Sequence, residues 1–181
     1  MRCLEIGCGF TINHPGYERL DIDPRCPQLN FCCSMDDIPV EDCAFDRVYS
    51  AHSLEHISWR KTHQTLEEWF RILKPGGEVH IIVPNLRWIV EQYLANGQGW
   101  TEDAGVMTGD ERQHLTTGSG LSHSLWANFK LFSSTADSDI HLAGFDRWIL
   151  EQRLKDAGFE KIKLVYDKEH LEMRACRPSV S

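Results

Sequence analysis

Three short stretches of this chain combine residue types and spacings that chemistry can use. Leu4-Glu5-Ile6-Gly7-Cys8-Gly9 is an apolar run that breaks into two glycines one residue apart. Without a Cβ, such a turn brings backbone close to a ligand and adopts positive φ at no steric cost. Tyr17-Glu18-Arg19-Leu20-Asp21-Ile22-Asp23 puts Asp21 where a second strand would end, and a carboxylate there can accept both hydroxyls of a ribose. His52-Ser53-Leu54-Glu55-His56 satisfies His-x-x-Glu-His, a spacing that on a helix offers two imidazoles to a metal and a glutamate as general base.

These groups converge only if the chain supplies strands to carry them. β-like runs occur at Arg2–Ile6, Tyr17–Ile22, Asn30–Cys33, Phe45–Ala51, Glu78–Val83, Lys161–Tyr166 and Leu171–Arg177, alternating with helical patterns, which indicates an α/β protein. Val79, Ile81, Ile82 and Val83 make the fifth run apolar enough to be central. In the last two runs Ile162, Leu164 and Tyr166, then Leu171, Met173 and Ala175, alternate with polar residues. Only Asp167 to His170 lie between them, so they form an antiparallel hairpin.

Helical spacing places Leu66, Trp69, Phe70 and Leu73 on one face before Lys74-Pro75-Gly76-Gly77, which reads as a helix-to-strand turn. A second helix covers Leu86–Leu94 and ends at Asn96-Gly97. A third starts near Asp146, carries Leu150, Leu154 and Ala157 inward, and ends at Gly158. Residues 97–140 break the rhythm, being rich in Gly, Ser, Thr and His. Leu121, Leu125, Phe129 and Phe132 within them fit a short amphipathic helix able to carry a lid over a pocket.

The 181 residues, 41% of them hydrophobic, suit one domain over 1–181 with 97–140 as an insertion or lid. A formal net charge of −8 opposes bulk binding to a phosphate backbone, so no nucleic acid partner is expected. The seven cysteines are odd in number and contain no C-x-x-C pair, which fits reduced thiols in a cytoplasmic protein better than disulfides or a zinc ribbon. Glu5 interrupts the only apolar run near the start, and no later run spans a membrane, so neither a signal peptide nor a membrane association is expected.

The order of motifs continues with Asp36-Asp37-Ile38-Pro39, then Phe45-Asp46-Arg47-Val48-Tyr49-Ser50-Ala51-His52, then Leu66-Glu67-Glu68-Trp69-Phe70-Arg71-Ile72-Leu73-Lys74-Pro75-Gly76-Gly77. In this order the chain resembles class I S-adenosylmethionine-dependent methyltransferases of the "methyltransferase 11" type, densely over residues 2–86. The tail from His141-Leu142-Ala143-Gly144-Phe145 to Ala157-Gly158-Phe159 is similar to the closing pattern of a related group. The resemblance implies a Rossmann-like seven-stranded sheet, parallel except for one strand of the terminal hairpin, and S-adenosylmethionine as cofactor. It implies that Glu5, Gly7, Cys8 and Gly9 shape the methionine-side loop and that Asp21, with Ile22 beside it, binds the ribose. Met35 and Asp36 would then flank the adenine, and Ser50, Ala51 and His52 would border the methionine portion and the methyl group.

The sequence departs from that pattern at Thr11, where many relatives carry a third glycine, and at Ser34, where an aspartate commonly stands. Cys8 to Gly16 are too few for a helical crossover, so the first helix is expected to be shortened or absent. The site is then open, or closed by 97–140 or by a second subunit in a homodimer. For an oxygen acceptor a neutral histidine makes a suitable base, and His141, with His123 behind it, takes that role by position. The substrate expected is a small molecule, a sugar or other biosynthetic intermediate.

Three rival readings stand beside this one. A methyltransferase fold that binds without catalysis is consistent with the trimmed first unit. A zinc peptidase through His52, Glu55 and His56 needs a third ligand that nothing in the sequence indicates, and no metal is assigned. A nicotinamide-binding domain conflicts with Ile12 at the third glycine of G-x-G-x-x-G.

Overall fold

The computed structural model describes residues 1–96 and 141–179. Its strands are β1 Cys3–Ile6, β2 Glu18–Asp21, β3 Phe31–Cys32, β4 Phe45–Ala51, β5 Leu73–Pro84, β6 Glu160–Asp167 and β7 His170–Cys176. They form one sheet in the order β3-β2-β1-β4-β5-β7-β6. All contacts from β3 to β5 are parallel, while β7 runs antiparallel to both β5 and β6. The protein is therefore an α/β, Rossmann-like domain whose sheet is mostly parallel with an antiparallel C-terminal hairpin.

The strand patterns follow from what each strand faces. β1 lies between β2 and β4 and is buried at all four positions, as a central parallel strand covered on both faces should be. Alternation in β5 and β7 puts Val79, Ile81 and Val83 beside Leu171, Met173 and Ala175, all at 1% exposure or less.

Helix α1, Thr62–Ile72, buries Leu66, Trp69 and Ile72 completely, and α3, Arg147–Asp156, does the same with Leu150 and Leu154. Each such side chain contributes about 1.5–3 kcal/mol relative to exposure. The seam between α1 and the end of α3 is closed by Phe70 and Phe159, edge to face at 5.3 Å. Asp146 caps α3 by accepting from the Ile149 N–H at 2.7 Å, and Gly158 ends it at φ +93°, where an added Cβ would press on Phe70.

As expected, no helix separates β1 from β2; residues 7–17 form turns, bends and irregular chain. One local expectation shifts. Lys74 to Gly77 belong to β5 itself, because Leu73 already pairs with Phe45 and the register irregularity between Phe45 and Arg47 absorbs the turn. Helix α2, Leu86–Asn96, follows β5, capped by the Asn85 side chain, which accepts from the Trp88 N–H at 3.3 Å. Among the described residues no helix is long and apolar enough to cross a membrane. The lid expected within 97–140 and His123 lie outside the described residues.

Candidate functional site

The strand order reverses between β1 and β4, and the crevice outside the carboxyl ends of strands at such a point is where open α/β sheets bind ligands. A cleft of about 330 Å³ opens there, within the range of small-molecule sites. Gly7, Gly9 and Phe10 form its floor, Asp21, Ile22 and Asp23 one side, Cys33, Ser34 and Met35 the far end, and His52, Ser53, His56 and Ile57 the opposite wall.

The glycine turn hangs on β2. Gly7 and Cys8 both donate their N–H to the Leu20 carbonyl, at 2.9 and 3.1 Å, and Gly9 donates to Asp21 Oδ2 at 2.9 Å. Gly7 has φ +67°, and a Cβ there would lie 1.9 Å from Ser53 Oγ, so only glycine lets the loop pass the end of β4. At Gly9, also at positive φ, a Cβ would meet nothing within 4 Å, leaving open cleft.

Beneath the loop lies Arg19, 2% exposed, donating to the carbonyls of Thr11 at 2.9 Å, Cys8 at 3.3 Å and Gly9 at 2.8 Å. Its guanidinium also sits 3.7 Å from Glu5, whose other oxygen is 3.2 Å from His14 Nδ1. This buried charge pair replaces the missing first helix as the support of the turn.

Asp21 and Asp23 differ in what holds them. Asp21 accepts from the Gly9 and Asp23 N–H groups, one per oxygen, which leaves half of its acceptor positions for a ligand. Asp23 is bonded to the guanidinium and backbone of Arg25, which hold its carboxyl down to about 2. At the far end, Trp69 Nε1 donates to the Met35 carbonyl at 3.0 Å, so α1 fixes that turn. Asp36 turns away from the cleft. Burial alone would raise its carboxyl, but bonds from Lys61 Nζ at 2.7 Å and from the Ser34 hydroxyl hold it below the usual range. Cys26 borders the cleft, its thiol pushed up to about 11 by burial.

At the end of β4 the chain turns through His52 at φ +51° into a single 3-10 turn, Leu54–His56. The Glu55 side chain is 1% exposed, and among the described residues neither of its carboxylate oxygens has a hydrogen-bond partner. His52 Nδ1 lies 3.6 Å and His141 Nε2 3.9 Å from it. His-x-x-Glu-His here does not lie along an α-helix, so the face-sharing imidazole pair of a zinc peptidase is absent.

A family model described as a methyltransferase domain matches residues 4–81. Comparison with curated protein sequences gives no match. A SAM-dependent methyltransferase from Methanosarcina mazei superposes with a TM-score of 0.63 at 16% identity, covering 99% of this chain and 93% of that one. Another from Thermotoga maritima, described as a possible histamine N-methyltransferase, gives 0.61 at 14% identity over 97% of this chain and 82% of its own. The Burkholderia thailandensis 1,6-didemethyltoxoflavin-N1-methyltransferase, solved with 1,6-didemethyltoxoflavin and S-adenosylhomocysteine, gives 0.58 at 14% identity over 98% and 71%. This is a class I S-adenosylmethionine-dependent methyltransferase fold.

Within the methyltransferase fold, the residues singled out from the sequence divide into two groups. Gly7, Gly9, Asp21, Ile22, Met35 and His52 line the cleft. Glu5, Cys8, Asp36, Ser50 and Ala51 are not on its wall. The first two support the glycine turn from behind, Asp36 is tied to Lys61, and Ser50 is fully buried within β4. His141 is not on the wall either; its ring packs against that of His56, with centroids 4.9 Å apart. Sequence reasoning did not single out Arg19, Phe10 or Ser53. Arg19 looks like an ordinary polar strand residue until the loop folds over it.

Proposed function

We propose that this protein is an S-adenosylmethionine-dependent methyltransferase acting on a small molecule. The observation that carries the reading is the union, at one cleft, of the Gly7 to Gly9 turn with the carboxylate of Asp21. The cleft fits the cofactor on its own terms. Gly9 leaves its space open, Asp21 has acceptor positions to spare at the end of β2, and Phe10 and Ile22 expose apolar surface, 57% and 61% accessible, where a base can stack.

When bound, S-adenosylmethionine supplies an electrophilic methyl group on a sulfonium. The chain's own part is alignment and exclusion of water, which can contribute about 7–11 kcal/mol to lowering a transfer barrier. Asp21 would hold the ribose, the turn at Gly7 and Gly9 the methionine portion, and Met35 the adenine. The wall of His52 and His56 would border the acceptor, and the imidazole on that wall that can take a proton and pass it to solvent is His52, more than half exposed. The net charge of −8 and the size of the cleft support a small acceptor over nucleic acid, and the toxoflavin enzyme shows that this fold accommodates one.

Calorimetric titration with S-adenosylmethionine and S-adenosylhomocysteine tests the reading. Micromolar binding of both is expected, reduced at least tenfold by Asp21→Ala and changed less than threefold by Asp23→Ala. Binding of neither ligand by the wild type would sink the proposal, and equal effects of the two substitutions would remove Asp21 from the ribose.

A further inference from the structure

We propose that Glu55, His56 and His141 bind a first-row divalent metal ion at the acceptor wall of the cleft, where the ion holds a hydroxyl or carboxylate oxygen of the substrate. The inference rests on the methyltransferase reading for the identity of that wall, but the ion site itself stands on separate observations. Each of the three residues offers a ligand atom, and all three atoms lie within 4.8 Å of one another. Bonds of about 2.0–2.2 Å from an ion to nitrogen and oxygen place ligand atoms about 3–4 Å apart, so a side-chain adjustment of about 1 Å closes the set.

Among the described residues, the Glu55 carboxylate, 1% exposed, has no hydrogen bond to either oxygen. An ionised carboxylate so placed costs several kcal/mol unless a cation or donors compensate it. His56 likewise has a buried Nδ1 with no hydrogen bond among the described residues.

The main chain brings the third ligand. Leu142 and Ala143 donate their N–H groups to the Glu55 carbonyl at 2.7 and 3.0 Å, and Trp59 donates to the Leu142 carbonyl at 3.4 Å. These bonds fasten the segment after His141 to the same 3-10 turn that carries Glu55 and His56, and they set the His141 side chain, 14% exposed, beside Glu55. Two imidazoles and one carboxylate form a donor set suited to Mn, Fe, Co or Zn ions, and three protein ligands leave positions for water or substrate. Because His56 lines the cleft, those positions are reached from it. A bound hydroxyl becomes easier to deprotonate, with His52, 3.6 Å from Glu55, as the proton acceptor. His141 is on this reading a ligand rather than the base.

The test is titration of the full chain with Co²⁺, followed by calorimetry and by visible absorption. One ion per chain is expected, with no thiolate-to-cobalt charge-transfer band. Affinity should fall at least tenfold in both His141→Ala and Glu55→Gln, while S-adenosylhomocysteine affinity, measured with chelator present, stays within threefold of wild type. If Glu55→Gln does not fold, His141→Ala decides alone. A wild type that takes up no Co²⁺, variants that bind it equally well, or a charge-transfer band placing the ion on cysteine would overturn the site. Co²⁺ binding by a wild type that ignores S-adenosylhomocysteine would uphold the ion and fail the cofactor reading instead.

Discussion

Two glutamates are buried near the cleft, Glu5 in β1 and Glu55 just after β4, at 3% and 1% exposure, and their surroundings differ in kind. Beneath the glycine turn, Glu5 faces Arg19, a permanent cation 3.7 Å away that also donates to three loop carbonyls, although Arg19 Nε and Glu5 Oε2 make no hydrogen bond among the described residues. At the end of β4, the ionisable groups within 4 Å of Glu55 among the described residues are two imidazoles, at 3.6 and 3.9 Å, which carry charge only when protonated. The first arrangement carries its own permanent cation and acts as scaffold. The second has none among the described residues, and a buried charge without such a partner costs stability that a bound cation recovers.

The largest effect separating the two should come from Arg19→Leu. It strands the Glu5 charge and leaves the carbonyls of Cys8, Gly9 and Thr11 without their donor, and removing one member of a buried pair typically costs about 3–5 kcal/mol. Urea denaturation should show that loss, and adding Glu5→Gln to the variant should restore part of it. A loss below about 1 kcal/mol would mean that the turn does not depend on the pair.

A smaller effect tests the seam where the two walls meet, at Gly7 and Ser53. Gly7→Ala incurs about 1–2 kcal/mol for its positive φ and a further 1–3 for the clash with Ser53, whose Cβ would be 2.4 Å from the new methyl. Gly9→Ala incurs the φ cost alone, because its side faces open cleft. Thermal or urea unfolding should therefore rank Gly7→Ala well below Gly9→Ala, with Ser53→Gly rescuing part of the first. Equal losses would place the tight contact elsewhere.

The same contrast explains what could be read from the sequence. Periodicity and turn residues identify all seven strands, the antiparallel terminal hairpin and the absence of room for a first helix, since these depend on neighbours in the chain; the parallel arrangement of the remaining strands followed from the family resemblance. The cleft residues Gly7, Gly9, Asp21, Ile22 and Met35 were legible because a motif fixes them at strand ends. By the family resemblance Glu5 is expected to shape the methionine-side loop and Asp36 to flank the adenine. Only the fold shows that Arg19 and Lys61 claim them. The meeting of His141 with Glu55 was beyond reach, because it depends on two backbone bonds across a long separation in sequence, to Leu142 and Ala143.

The smallest expected effect has the opposite sign and separates the walls most sharply. If Glu55 has no permanent partner, Glu55→Gln should leave the metal-free protein more stable by about 1–2 kcal/mol in chelator at pH 8, where an ordinary imidazole is neutral. The neutral amide relieves the charge while keeping the shape, whereas Glu5→Gln in the presence of Arg19 should destabilise. Adding Co²⁺ should then raise the urea midpoint of the wild type more than that of Glu55→Gln, because an ion that binds only the folded chain stabilises it more the tighter it binds. Destabilisation of Glu55→Gln by more than about 1 kcal/mol in chelator would show that the imidazoles already satisfy the carboxylate, and the two walls would then share one design.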